Sequence, residues 1–283
     1  GVEQGIFENY SQGILSARDS WAYNLSRRKL AENMGRMIDF YNAEVARYEA
    51  AGKPKDVDRF VSDDVGKISW TRGLKTSLRQ GYRAEFDNSA IVPAVYRPFQ
   101  NQWQYFNRRL NELVYQIPRI FPRADAKNLV MHISGIGTRA GFSALLVESI
   151  PNFHHLDTGQ CFPLYLYEEA VPDDGLFVTT GDQDTGLARR DAITDAGLAH
   201  FQAAYPGEAI SKEDLFYYIY GLLHSPDYRE RFKNNLAKQL PRIPAVKTFA
   251  DFAAFRDAGR ALGHLHVNFE SVEPYMVTFK EGD

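Results

Sequence analysis

The sequence predicts an α+β fold made of an N-terminal helical segment, a central β-rich lobe and a C-terminal helical lobe. Three observations lead there. One apolar stripe runs through residues 27–50, short apolar runs broken by Pro and Gly fill residues 62–170, and capped, strongly apolar helical patterns follow residue 190. The expected boundaries are 1–60, 61–170 and 191–283, with 171–190 read as an exposed loop.

Residues 1–20 read as an irregular lead-in, with Gly5, Gly13 and a polar Ser16-Ala17-Arg18-Asp19-Ser20. In 27–50, Leu30, Met34, Met37, Tyr41, Val45 and Tyr48 recur at three- and four-residue spacing and so share one helical face. Ser26 is placed to cap that helix, and Gly52 with Pro54 stops it. Arg27, Arg28 and Lys29 in its first turn oppose the helix dipole, a small cost that points to contact rather than stability. Candidate strands are Val65–Trp70, Gln102–Phe106, Leu129–Ile133, Ala144–Glu148 and Leu164–Tyr167. Residues 172–190 are rich in Asp, Gly and Thr. Helix returns at about 191–204 and again from 212, where Ser211 and Asp214 form a capping box before Leu215, Phe216, Ile219, Leu222 and Leu223. Ser225-Pro226 ends that helix. A charged helix over 227–239 and a last one over 248–266, carrying Phe249, Phe252, Phe255, Leu262 and Leu265, complete the chain.

At 283 residues, 44% hydrophobic and 13% aromatic, the chain holds one large domain or two modest ones. No stretch approaches the ~20 apolar residues of a membrane span, and the start lacks the pattern of a signal peptide. Gly1-Val2-Glu3-Gln4 has no initiator Met and reads as the edge of an excised piece. The single Cys161 excludes an internal disulfide and fits a cytoplasmic location, and its apolar neighbours mark a small buried side chain.

The net charge of −3 hides an asymmetry. Residues 61–139 carry twelve Lys/Arg against six Asp/Glu, whereas 140–220 carry three against thirteen. A chain so divided can present a positive face to a polyanion despite its acidic balance.

Within the basic stretch, Lys67-Ile68-Ser69-Trp70-Thr71-Arg72-Gly73-Leu74-Lys75-Thr76-Ser77-Leu78-Arg79 places Arg72, Lys75 and Arg79 at i, i+3 and i+7 if 71–79 is helical. Such a stripe is either a solvated face or a polyanion contact. The run Tyr96 to Arg109 mixes aromatics, amides and arginines. Arg pairs bidentately with guanine and Asn or Gln with adenine, so Gln100, Asn101, Arg108 and Arg109 are candidates for DNA, ahead of a structural Arg97. Ser134-Gly135-Ile136-Gly137-Thr138-Arg139-Ala140-Gly141 lacks the dinucleotide spacing and reads as a tight loop exposing Arg139, a further contact candidate. His154-His155-Leu156-Asp157 and His264-Leu265-His266 lack a full ligand set, so structural histidines are the better reading; no catalytic or metal residue is assigned. There is no Gly-x-x-x-x-Gly-Lys-Ser/Thr loop and no Asn/Asp-Pro-Pro-Tyr/Phe motif.

Tyr96-Arg97-Pro98-Phe99 with Trp103 and Tyr105, Phe162-Pro163-Leu164-Tyr165, Leu223-His224-Ser225-Pro226-Asp227-Tyr228-Arg229-Glu230-Arg231 and Leu240-Pro241-Arg242-Ile243-Pro244 occur in an order that resembles one family from end to end. That family is the C-terminal specificity region of type ISP restriction-modification enzymes, often labelled DEAD/DEAH-box helicases. Ile6-Phe7-Glu8-Asn9-Tyr10-Ser11, Asp19 to Asn24, Gly159-Gln160-Cys161-Phe162-Pro163 and the Ile-Ser-Trp-x-Arg-Gly-Leu-Lys stretch are similar too. The resemblance implies a target-recognition module for double-stranded DNA, a monomer that is not itself an enzyme and needs no cofactor. Its parent would carry upstream nuclease, helicase and adenine methyltransferase regions using S-adenosylmethionine, ATP and Mg²⁺. A rival is a structural coupler between methyltransferase and motor that reads no DNA; a third is a free-standing metal-dependent enzyme.

Overall fold

The computed structural model describes residues 5–138, 141–169, 181–182 and 187–278. The chain begins with two short strands, Ser11–Gln12 (β1) and Tyr23–Asn24 (β2), on either side of a one-turn helix, Asp19–Ala22 (α1). The long helix follows at Arg27–Ala50 (α2), where the stripe places it, and Ser26 Oγ accepts from the Lys29 N–H as its cap. Its apolar face packs on two shorter helices, Val57–Phe60 (α3) and Arg72–Arg79 (α4), in a cluster that includes Leu30, Met34, Tyr41, Leu74 and Leu78.

The expected strand Val65–Trp70 is a turn instead. The Gly66 N–H donates to Asp64 Oδ1 and the Lys67 N–H to Asp64 O, so a local Asx turn captures the backbone, and Val65 is 81% exposed. The hairpin of the fold lies further on, between Ile91–Arg97 (β3) and Gln100–Tyr105 (β4). β3 escapes a sequence reading because Pro93 interrupts it. The Pro is tolerated because the second neighbour of β3 covers Ala94 and Val95 alone.

A short helix, Ile117–Ile120 (α5), leads to the remaining strands: Val130–Ile133 (β5), Ala144–Val147 (β6), Ile150–Pro151 (β7), Gln160–Pro163 (β8), Tyr165–Glu169 (β9), Gly181–Asp182 (β10) and Leu187–Asp191 (β11). They form sheets ordered β1-β8-β5-β6, β2-β4-β3-β7 and β10-β11-β9, antiparallel except for β3 with β7. Of the expected 171–190 loop, residues 171–180 and 183–186 lie outside the described residues; at its end the polar Leu187–Asp191 run is a strand held by five pairs with β9. Helices Asp195–Ala204 (α6), Lys212–Leu223 (α7), Pro226–Arg231 (α8), Lys233–Leu236 (α9) and Phe249–Val267 (α10) follow. The expected 227–239 helix is broken at Phe232, which lies between α8 and α9 with ψ 14° and packs on Tyr228.

The fold class is α+β, but its sheets do not follow consecutive thirds of the chain. β1 pairs with β8 and β2 with β4, and the N-terminal segment also bonds to Leu113, Pro151, Ala192 and Thr194. The second core cluster, with Ile14, Tyr23, Ala94, Val130, Cys161 and Ala192, is built from both ends of this interleaving.

The C-terminal core centres on α7, buried on every side from Leu215 to Leu223, with the expected capping box at Ser211 and Asp214. α10 crosses it where two glycines meet. A Cβ on Gly221 would lie 2.0 Å from Phe255 O, and one on Gly259 2.0 Å from Tyr217 O. Gly259→Ala should therefore destabilise by about 1–3 kcal/mol or more, because neither backbone can yield. Gly35 inside α2 has nothing within 4 Å of the same position. Gly35→Ala should stabilise by about 0.5–1 kcal/mol through helix propensity. Denaturant midpoints of the two variants, moving in opposite directions, check both expectations.

Candidate nucleic-acid interface

α4 exists because Thr71 Oγ1 caps it, accepting from the Leu74 N–H, while Leu74, Ser77 and Leu78 bury one face. The other face carries the expected cations. Arg72 and Arg79 are exposed and make no ion pair among the described residues. Lys75 is partly covered, and its Nζ lies 2.5 Å from Asp58 Oδ1. That hydrogen bond holds the Asp58 carboxyl below the usual range, so Lys75 is already engaged within the chain.

The turn after β4 lies beside α4. Asn107 Oδ1 accepts from the N–H groups of Arg109 and Leu110, and Asn111 Nδ2 donates to Tyr105 O and Asn107 O. The turn exposes Arg108 and sets Arg109 over the Tyr82 ring at 4.9 Å, within 3.4 Å of Gln80 Oε1 at the end of α4. Glu112 Oε1 accepts from the Gly73 N–H at the other end, where a carboxylate suits the helix dipole.

One buried side chain locks these pieces together. Arg18 is 3% exposed, and its guanidinium donates to Ser69 O, Leu110 O and Thr71 Oγ1. It thereby joins the N-terminal segment, the cap of α4 and the 107–112 turn. Burial lowers its pKa to about 10, which leaves it charged at neutral pH.

The structure does not bring Gln100 and Asn101 to this group. They begin β4, whose other end, Tyr105, leads to the Arg108 turn. Six strand residues separate the two sites by roughly 17 Å. Asn101 instead lines a groove of about 540 Å³, bounded by the β3–β4 hairpin, the 123–127 turn, the β6–β7 connection and the end of α10. At the hairpin turn, Phe99 takes a φ of 56° and seats its ring against His266 and Phe269. Arg97 turns inward, with Nη1 3.0 Å from Asn152 Oδ1 and its guanidinium over Tyr96, as a structural arginine would. The groove also gathers Arg123, Lys127 and Arg189, which sequence spacing did not single out. Arg123 and Lys127 belong to the basic stretch, a usable signal; Arg189 is masked by the acids around it. Arg139 lies outside the described residues.

The histidine clusters separate. His155 pairs with His132, Nδ1 to Nδ1 at 2.7 Å, and both are buried. His154 packs edge-on to Phe153, while Asp157 accepts from Thr138. His266 bonds Tyr220 OH, and His264 is exposed. Among the described residues, no group of three or more His, Cys, Asp or Glu side chains could hold a metal ion. Cys161 is buried, which raises its thiol pKa and makes it a poor nucleophile. Among the described residues no helix is long and apolar enough to cross a membrane.

The family description "Type ISP C-terminal specificity domain" matches residues 5–282. Three solved structures share the fold. A cryo-EM complex of DrdV with DNA is 32% identical, with a TM-score of 0.80 over 97% of this chain and 24% of that one. A nuclease-deletion mutant of the Type ISP restriction-modification enzyme LlaGI, in complex with a DNA substrate mimic, is 33% identical, with a TM-score of 0.81 over 98% and 23%. The ATP-dependent Type ISP restriction-modification enzyme LlaBIII bound to DNA is 28% identical, with a TM-score of 0.80 over 96% and 16%. The chain thus spans a quarter or less of the chains it matches. No curated protein sequence matches.

Arg18→Ala would leave the Ser69 and Leu110 carbonyls without their donor and leave the Thr71 hydroxyl only its capping bond. It should cost about 3 kcal/mol or more, read as a lowered denaturant midpoint. The histidine pair gives a pH signature. Burial holds both rings neutral well below the ordinary value of 6.5. The unfolded chain binds protons that the folded chain refuses, so this contribution to stability is present above pH 6.5 and fades as pH falls. Unfolding midpoints at pH 7.5 and 5 should differ in that sense, and His155→Phe should flatten the difference.

Proposed function

Because the chain belongs to the Type ISP C-terminal specificity domain family, we propose that it selects the target sequence of a restriction-modification enzyme by binding double-stranded DNA. Target recognition is the role of this family of domains. The observation that carries the reading onto these residues is the pair of elements at the Arg18 clamp. α4 and the 107–109 turn expose Arg72, Arg79 and Arg108 with no ion pair among the described residues. Cations unneutralised within the chain are the groups that release counterions when they meet phosphates. Lys75 and Arg109, tied to Asp58 and to Tyr82 and Gln80, hold the two elements in place and contribute field. Gln100 and Asn101 approach the duplex separately, from the hairpin end, and Arg139 remains a candidate.

The larger polypeptide follows by the same reading. Upstream nuclease, helicase and adenine methyltransferase regions would use ATP, Mg²⁺ and S-adenosylmethionine in the cytoplasm, with this domain holding the site while an adenine is flipped out. This chain takes no part in that chemistry itself, and one copy serves each parent.

The coupler reading separates from this one by experiment. Arg72→Glu, Arg79→Glu and Arg108→Glu together should weaken binding to a duplex at least ten-fold and lower the salt slope by about three. A native chain that binds no duplex at low salt, or a triple variant with unchanged affinity and slope, would reject the assignment.

A further inference from the structure

The groove beside β4 has features that the anchoring face lacks. Its walls carry Lys127, Arg189 and Arg123, the last paired with Asp125, against a single lining carboxylate, Glu148. Lys127 is exposed and makes no ion pair among the described residues. Arg189 lies over the Tyr165 ring at 4.2 Å. On the hairpin wall, Asn101 and Trp103 are two residues apart in one strand and so share a face. Arg27 sits over the Trp103 ring at 5.7 Å, which brings the first-turn cation of α2 to the groove edge.

The amide of Asn101 is the telling group. Most other amides nearby are consumed by the chain itself: Asn107 and Asn111 build the turn, Asn128 donates to Ile120 and Tyr165 carbonyls, and Asn152 accepts from Arg97, while Gln102, the next residue of β4, lines the groove beside Asn101 as a second open amide. Asn101 is partly exposed in the groove, and its side chain makes no hydrogen bond within the described chain. Its support is rigid. Phe99 pins one end of the hairpin, and Gln104, bonded to Asn111, anchors the other.

We propose that this groove is where the base pairs are read. Asn101 bonds a base edge, Trp103 packs its face beside it, and Lys127 and Arg27 hold phosphates on opposite rims. The inference rests on the DNA-recognition reading and deepens it by dividing the work: α4 anchors the duplex and the groove selects the sequence. An Asn amide presents a donor group and an acceptor group side by side, the complement of an adenine edge. At about 540 Å³ the groove takes a part of a duplex rather than its full width.

The test is selection from a randomised duplex pool, with the unaltered chain, Asn101→Ala, Lys127→Ala and the Arg72, Arg79 and Arg108 triple variant compared side by side. Asn101→Ala should keep the salt slope and the affinity for unselected duplex within about two-fold, yet lose roughly ten-fold preference or more at one base pair. Lys127→Ala should lower the salt slope by about one without altering the motif. In the unaltered chain, a selected duplex carrying 5-iodouracil should photocrosslink to Trp103, a readout independent of any variant's folding. The same motif and enrichment from Asn101→Ala, or crosslinks confined to α4, would overturn the groove assignment while leaving DNA recognition standing. Absence of any enriched motif with the unaltered chain would overturn both.

Discussion

A charged guanidinium held inside the protein by neutral oxygens is the constraint on which the arrangement turns. Arg18 has no carboxylate in hydrogen-bond contact in the described structure; it is satisfied by two backbone carbonyls and a hydroxyl, with Glu112 close enough to favour its charge. Burying such a group is costly unless each donor finds a partner, so the three acceptors must sit where they do. They come from the approach to α4, from its cap and from the turn after β4. The clamp therefore fixes the separation of the two arginine-bearing elements while keeping its own charge away from solvent.

Several carboxylates of the acidic stretch are engaged by cations away from the positive face. Glu168 bonds Arg119 and Arg190, and Arg190 also bonds Glu8, a network that lowers the Glu168 pKa to about 2. Asp191 and Asp195 share Lys212. Glu213 and Asp214 face Arg256 and Arg260 across the α7–α10 contact. These are mostly surface pairs of modest energy, but they determine where negative charge lies.

What was legible in the sequence was what short-range chemistry decides. α2 follows from an apolar stripe of about five turns and its serine cap, and the capped start of α7 from Ser211 and Asp214. What was not legible depends on partners distant in sequence. β3 contains a proline that is forgiven because β7 does not reach it, and β11 is polar because its stability comes from β9 rather than from its own side chains. Val65–Trp70 had the composition of a strand, but Asp64 closes a turn first. The site divides likewise. Helical spacing exposed Arg72 and Arg79, whereas the capture of Lys75 by Asp58 and the gathering of Lys127 and Arg189 around Asn101 require the folded surface.

The pairing of the N-terminal segment has a consequence in time. Ser11 meets Cys161, Ile14 meets Asn152, and the backbone around Ile6 and Phe7 meets Ile193 and Thr194. Within this domain the residues made earlier are therefore among the last to find their places. Loops this long close at an entropic cost, and topologies rich in distant contacts fold slowly. The helices of α2 and α4 can assemble early as a local unit, but Arg18 enters its socket from a segment whose other anchors have yet to be made. A ribosome stalled before residue 160 would thus present Arg18 and its three acceptors already made, but on a segment whose strand partner, β8, is still missing.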